Sequence, residues 1–275
     1  LKKVIFVLID GLNAETAFRH MGFMEHLVEA HAASKYVVRS ELPSVSRPLY
    51  EVLMTGTPVS VNRISSNETI RKSTQKNLFQ MSADAGIATA AAAYYFFSEL
   101  YLHAPFHPLT DRFHSDSASA IQNAMFYYDD SYPNSHLFLD ADELIIRHHP
   151  GFILVHPMSV DYIGHQFGGG SGEYCKAAFN VDCILSRFLF KWIEEGYSVI
   201  ITADHGMGKD GIHGGTSAEE RMIPMYILSG QVDAADYSGQ TVSQLHIAPL
   251  VCKLLGLPLS EHMIEPKIPG LHPAV

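Results

Sequence analysis

Val4-Ile-Phe-Val-Leu-Ile-Asp10-Gly11 is the stretch whose reading decides the fold. Its six apolar residues run without alternation between Lys2-Lys3 and a carboxylate followed by glycine. Continuous apolarity marks a strand covered on both faces, because a half-exposed strand would alternate with period two. Runs rich in Val and Ile recur at 87–93, 151–156, 197–203 and 222–228. Helix-like stretches at 22–33, 47–54, 76–85, 117–128, 135–148, 173–194 and 243–255 separate most of them. The last stops at Gly256 with Pro258 beyond, a C-terminal signal. Strands alternating with helices predict an α/β three-layer sandwich: a central, mostly parallel sheet with helices on both faces. One domain over 1–275 is expected. Residues 94–133 break the rhythm with Pro105, Pro108, Pro133 and a dense aromatic run, and read as a cap or insertion.

The composition narrows the function. The chain has 275 residues, 47% hydrophobic and 17% charged, which excludes disorder and coiled coil. A formal charge of −10 argues against nucleic acid as a stable partner or an anionic membrane as a docking surface. Cys175, Cys183 and Cys252 show no CxxC spacing, so neither a disulfide framework nor a cysteine zinc site is indicated. The first apolar run is too short for a signal peptide, and none approaches the roughly 18–20 residues of a spanning helix. A cytoplasmic location is therefore the expectation. Histidine is abundant, with 16 residues.

Four groups of reactive residues directly follow strands or open helices, at the edge where α/β sheets place their sites. Asp10 ends the first strand and serves either as a helix N-cap or as a ligand. In Asp161-Tyr-Ile-Gly-His165, the four-residue spacing puts carboxylate and imidazole on one side of a helical turn, where one cation could meet both. His156, at the preceding strand end, reads as a supporting or packing residue. Asp204-His205-Gly206 ends another strand, with His213 eight residues on and glycines between that let the backbone turn. Ser46 precedes a helix whose Pro48 suits the first turn. The N–H groups there would favour an alkoxide or a phosphoryl group, or Ser46 is simply the N-cap. Ser44 competes by chemistry but lies before the helix start.

In this order the residues resemble the alkaline phosphatase superfamily, most closely its nucleotide pyrophosphatase/phosphodiesterase branch, over nearly the whole chain. Asp10-Gly11, Pro43-Ser-Val-Ser46-Arg-Pro, Thr55-Gly56, Asn67, Asp161-x-x-x-His165, Asp204-His205-Gly206 and His213 carry the likeness. The resemblance implies two divalent cations. Asp161, His165 and His213 would hold one, and Asp10, Asp204 and His205 the other, with Ser46 bridging toward the second. Imidazole with carboxylate and no thiolate suits zinc, with manganese or iron as substitutes. Ser46 would be the nucleophile of a double displacement through a phosphoseryl intermediate. Asn67 and the backbone N–H of Arg47 would stabilise the transition state.

The implied activity is hydrolysis of small phosphate esters, foremost phosphodiesters or nucleotide pyrophosphates. Phosphonoacetate hydrolysis and phosphomonoester hydrolysis on the same metal site are alternatives, as is a non-catalytic metal-binding module. A sulfatase would need Pro and Arg two and four residues after its nucleophile, and neither Ser44 nor Ser46 has them. The branch often has threonine at the nucleophile and an aromatic residue after it, where this chain has Ser46 and Arg47. The Arg47 side chain would either clamp an anionic substrate or point to solvent.

Overall fold

The computed structural model describes residues 2–273. Nine strands form one sheet: β1 (Lys3–Leu8), β2 (Ser34–Arg39), β3 (Thr89–Tyr94), β4 (Phe113–Ser115), β5 (Asn123–Tyr127), β6 (Phe152–Val155), β7 (Tyr197–Thr202), β8 (Met222–Leu228) and β9 (Asp236–Ser243). Their spatial order is β4-β5-β3-β6-β1-β7-β8-β2-β9. Only β4 and β8 run against the other seven, so the sheet is mostly parallel. The strand quoted first lies at its centre, with Val7 beside Val155 of β6 and Leu8 beside Thr202 of β7. Val4 to Ile9 are all fully buried, as their unbroken apolarity requires.

Helices Ala14–His20, Gly22–Glu29, Asn134–His148, Ser159–Phe167 and Gly172–Glu194 cover one face, and Ser46–Thr55, Leu78–Asp84, Phe96–Tyr101 and Ile247–Leu255 the other. The long Gly172–Glu194 helix buries Tyr174, Ala178, Val181, Leu185, Leu189 and Trp192, a stripe with three- and four-residue steps. Ser171 caps it by accepting from the Tyr174 N–H.

One expectation is corrected. Residues 117–128 do not form a helix: β5 runs there, parallel to β3 from Asn123 beside Ala90 to Tyr127 beside Tyr94. Pairing with a buried neighbour outweighs the local helical preference of Ala124 and Met125. Within 94–133, read as a cap or insertion, β4 and β5 lie at the edge of the main sheet and the Phe96–Tyr101 helix packs beside β3. Among the described residues, no helix is long and apolar enough to cross a membrane.

Candidate active site

β1, β2, β6 and β7 run in one direction, so the residues that follow them share one edge of the sheet. The turn after β1 comes very close to the helix after β6. A Cβ on Gly11, whose φ is +71°, would stand 2.7 Å from the Asp161 Cα. Only glycine allows both that backbone conformation and that approach.

The side chains expected as ligands meet there. Asp10, Asp204 and His205 are fully buried and Asp161 nearly so. His205 Nε2 lies 3.2 Å from Asp204 Oδ2, 3.5 Å from Asp10 Oδ1 and 3.2 Å from Ser46 Oγ. His165 Nε2 is 3.3 Å from Asp161 Oδ2, and His213 Nε2 is 3.7 Å from Asp161 Oδ1. Two overlapping groups, Asp161-His205-His213 and Asp10-Asp204-His205, each bring ligand atoms within 4.8 Å of one another. His205 therefore reaches both halves of the site, and its ring stacks on His213 with centroids 3.8 Å apart.

This donor set fits divalent cations on two counts. Asp10 Oδ1, Asp161 Oδ1 and Asp204 Oδ2 are buried without a hydrogen-bond donor, an expensive arrangement for carboxylates unless a cation meets them. Each histidine also has its Nδ1 against a backbone carbonyl: Gly211 at 2.8 Å for His165, Gly206 at 2.9 Å for His205 and Ser44 at 2.8 Å for His213. A carbonyl only accepts, so Nδ1 carries the proton and Nε2 presents its lone pair inward, as a metal-ligating imidazole does.

Protein groups alone balance these charges poorly. Burial, reinforced by the Asp10 charge, pushes the Asp204 carboxyl well above its ordinary range and raises Asp161. Burial also acts on Asp10, but His156, His205 and Tyr50 outweigh it and hold that group low. The bond to Asp161 lifts His165 to about 9, whereas burial and the neighbouring His205 lower His213 to about 4.

Ser46 opens the Ser46–Thr55 helix, whose N-cap, Val45, offers no capping side chain. Asn67 is close by, but not in the expected partnership with the Arg47 N–H. That N–H donates to Asn67 Oδ1 at 2.9 Å, so it is already engaged and the Asn67 amide nitrogen is the remaining donor. The Arg47 side chain neither points to solvent nor lies free to clamp a substrate. It is 1% exposed, donates to the Asn67 carbonyl at 2.8 Å and to Glu99 Oε2 at 2.5 Å, and lies over the Phe96 ring.

Several supporting residues are not marked by any motif. Tyr50 donates to Asp10 Oδ2, Tyr174 donates to the Gly11 carbonyl, and Ser40 and Gln244 donate to the Asp204 carbonyl at 2.6 and 2.8 Å. Tyr50 alone had a usable signal, four residues after Ser46 and so on the same side of its helix. His156, read as a supporting or packing residue, places Nε2 3.2 Å from Asp10 Oδ2.

The fold is an α/β three-layer sandwich with these side chains converging at one edge of its sheet. The chain belongs to the family described as type I phosphodiesterase / nucleotide pyrophosphatase, whose model matches residues 4–210. "GPI ethanolamine phosphate transferase 2" of Schizosaccharomyces pombe is 24% identical over 300 residues, covering 94% of this chain and 37% of that protein. The human "GPI ethanolamine phosphate transferase 2, catalytic subunit" is 22% identical, covering 95% of this chain and 27% of that protein. The chain thus spans 37% or less of the length of these two relatives. Among solved structures, murine ectonucleotide pyrophosphatase / phosphodiesterase 5 superposes with a TM-score of 0.76 at 13% identity, covering 94% of this chain and 96% of that one. Alkaline phosphatase PafA gives a TM-score of 0.72 at 12% identity and 98% coverage of both chains, a likeness of fold alone.

Proposed function

We propose that this chain is a catalytic domain that cleaves phosphodiesters, with Ser46 as nucleophile and two divalent cations, zinc foremost, as cofactors. One observation carries the reading: three donor-less carboxylate oxygens and three inward imidazole lone pairs gather beside a serine at a helix N-terminus. Asp161, His165 and His213 would hold one cation, and Asp10, Asp204 and His205 the other, next to Ser46. When bound, the cations supply neutralisation of charge at phosphorus and a lowered pKa for the Ser46 hydroxyl.

Ser46 Oγ gives its proton to solvent and attacks phosphorus, and the bond to the leaving alcohol breaks, leaving the phosphoryl group and its remaining ester on Ser46. The departing oxygen takes a proton from solvent. The Asn67 amide nitrogen donates to a phosphoryl oxygen as charge builds there. Water then attacks the phosphoseryl group, the Oγ–P bond breaks and Ser46 recovers its proton.

A second reading rests on the relatives' names. Ethanolamine phosphate transfer differs from hydrolysis in one respect: an alcohol, not water, takes the group from Ser46. The full-length relatives carry that name, and they align with 94–95% of this chain.

Activity of the metal-loaded chain on bis(p-nitrophenyl) phosphate tests the first reading. Turnover should vanish with chelator, return with zinc and fall by at least about a thousandfold in Ser46→Ala. Cleavage of monoesters alone would overturn the diesterase reading, and full turnover by Ser46→Ala would overturn the nucleophile. Adding a primary alcohol and detecting its phosphodiester product separates transfer from hydrolysis.

A further inference from the structure

We propose that Tyr50 and His156 are positioning residues that fix Asp10 as a one-oxygen ligand facing the nucleophile, an inference that rests on the two-cation reading. Asp10 Oδ2 accepts from the Tyr50 hydroxyl and from His156 Nε2 at 3.2 Å, and all three side chains are fully buried. Asp10 Oδ1 receives no donor and lies toward His205. With Oδ2 saturated by two donors, Oδ1 keeps the lone pairs a cation can use, and the carboxylate has no reason to turn both oxygens toward it.

The two donors are themselves held. The Tyr50 ring stacks on Phe97 with centroids 4.6 Å apart and meets the His156 ring edge-on at 4.8 Å. Phe97 contacts His156 at 5.2 Å, so the three rings form one block in which neither donor can rotate without displacing another. Behind it, the Tyr127 hydroxyl donates to the His156 carbonyl at 2.5 Å, anchoring the backbone that carries the imidazole.

Tyr50 also shares its helix with Ser46, one turn away. The helix that presents the nucleophile thereby aims the carboxylate expected to serve the cation beside it. Moving the helix would shift both groups together and preserve their relation.

The test uses the full chain as wild type, Tyr50→Phe, His156→Leu and His156→Gln. Zinc affinity is read by competition with a chromophoric chelator, and coordination by the visible spectrum of the cobalt-loaded protein. Tyr50→Phe and His156→Leu should each weaken zinc binding by about 10–100-fold. Their cobalt bands should weaken as Asp10 turns both oxygens to the metal and coordination number rises. His156→Gln, which restores a donor, should recover most of the affinity and the wild-type spectrum. Tyr50→Phe protein with a wild-type circular dichroism spectrum, zinc affinity within about twofold of wild type and an unchanged cobalt spectrum would overturn the inference. If Tyr50→Phe does not fold, the His156→Gln and His156→Leu pair decides: equal affinities and spectra overturn it. Failure of the wild type to take up zinc or cobalt would instead overturn the two-cation reading beneath it.

Discussion

The Nε2 atoms of His165 and His213 face each other at 3.2 Å, each on a ring whose Nδ1 is turned to a backbone carbonyl. Two lone pairs at that distance repel unless a proton or a cation lies between them. In the cation-free protein His165 takes the proton, because Asp161 raises it to about 9 while burial lowers His213 to about 4.

Zinc binding near neutral pH should therefore release protons, since His165 must give up its proton to become a ligand. The sign is fixed: below about pH 9 the free protein holds that proton, and lower pH favours it over the metal. Apparent zinc affinity should rise with pH between about 6 and 9. Calorimetry in two buffers of different ionisation enthalpy measures the protons released, and a value of zero would contradict the prediction.

Breaking the buried pair of Arg47 and Glu99 should destabilise the fold. Both side chains are almost completely enclosed, so Glu99→Gln leaves Arg47 uncompensated at an expected cost of about 3–5 kcal/mol. The double variant Arg47→Met/Glu99→Leu should recover most of that loss in urea melts while still reducing turnover, because Arg47 also holds the Asn67 carbonyl. Equal stabilities for the single and double variants would refute it.

Glu51 should make stability pH-dependent from a position outside the ligand set. Burial pushes its carboxyl from 4.5 up to about 7, against opposing bonds from Ser73 and Tyr101. The folded state thus binds this proton more tightly than the unfolded state. The contribution is full below about pH 4.5 and is lost as pH rises through about 7. Its size is about 3.5 kcal/mol, at ~1.4 kcal/mol for each pH unit between the two values. Glu51→Gln should flatten this part of the stability curve and match or exceed wild type at pH 8, as measured by melts across the range.

Gly11→Ala should damage the site more than a small surface-like change would. The added methyl group would meet Asp161 at 2.7 Å, in a backbone conformation that disfavours alanine. Zinc affinity should fall with melting temperature, whereas Gly22→Ala, where a Cβ meets nothing within 4 Å, should leave zinc affinity unchanged.

Five buried strands were legible in the sequence, whereas β2, also largely buried, was not, because Lys35 and Arg39 break its apolar run. β1, β3, β6, β7 and β8 announce themselves because both faces are covered, and Asp10, Asp161 and Asp204 follow three of them. β9 is missed for the opposite reason: it lies at the sheet edge, largely exposed, and its Asp-Tyr-Ser-Gly-Gln run carries no apolar pattern. β5 is missed because its pairing with β3, not its composition, makes it a strand. Motif spacing singled out His165, His205 and His213, which the fold brings together, because each sits in or beside a short local pattern. Glu99 had no such pattern, since its role depends on reaching Arg47 from a segment 52 residues away.

The side chains of this site come from Asp10, Ser46, the pair Asp161 and His165, and the stretch from Asp204 to His213, which span most of the chain. A partly folded molecule that has not threaded β1 between β6 and β7 has no such cluster, however much local helix it holds. A cation held there would bind only the completed topology, tying distant segments as a late staple would and closing loops whose entropy is costly in the open chain. Newly made protein would then gain its final increment of stability, and its capacity for chemistry, in the same step.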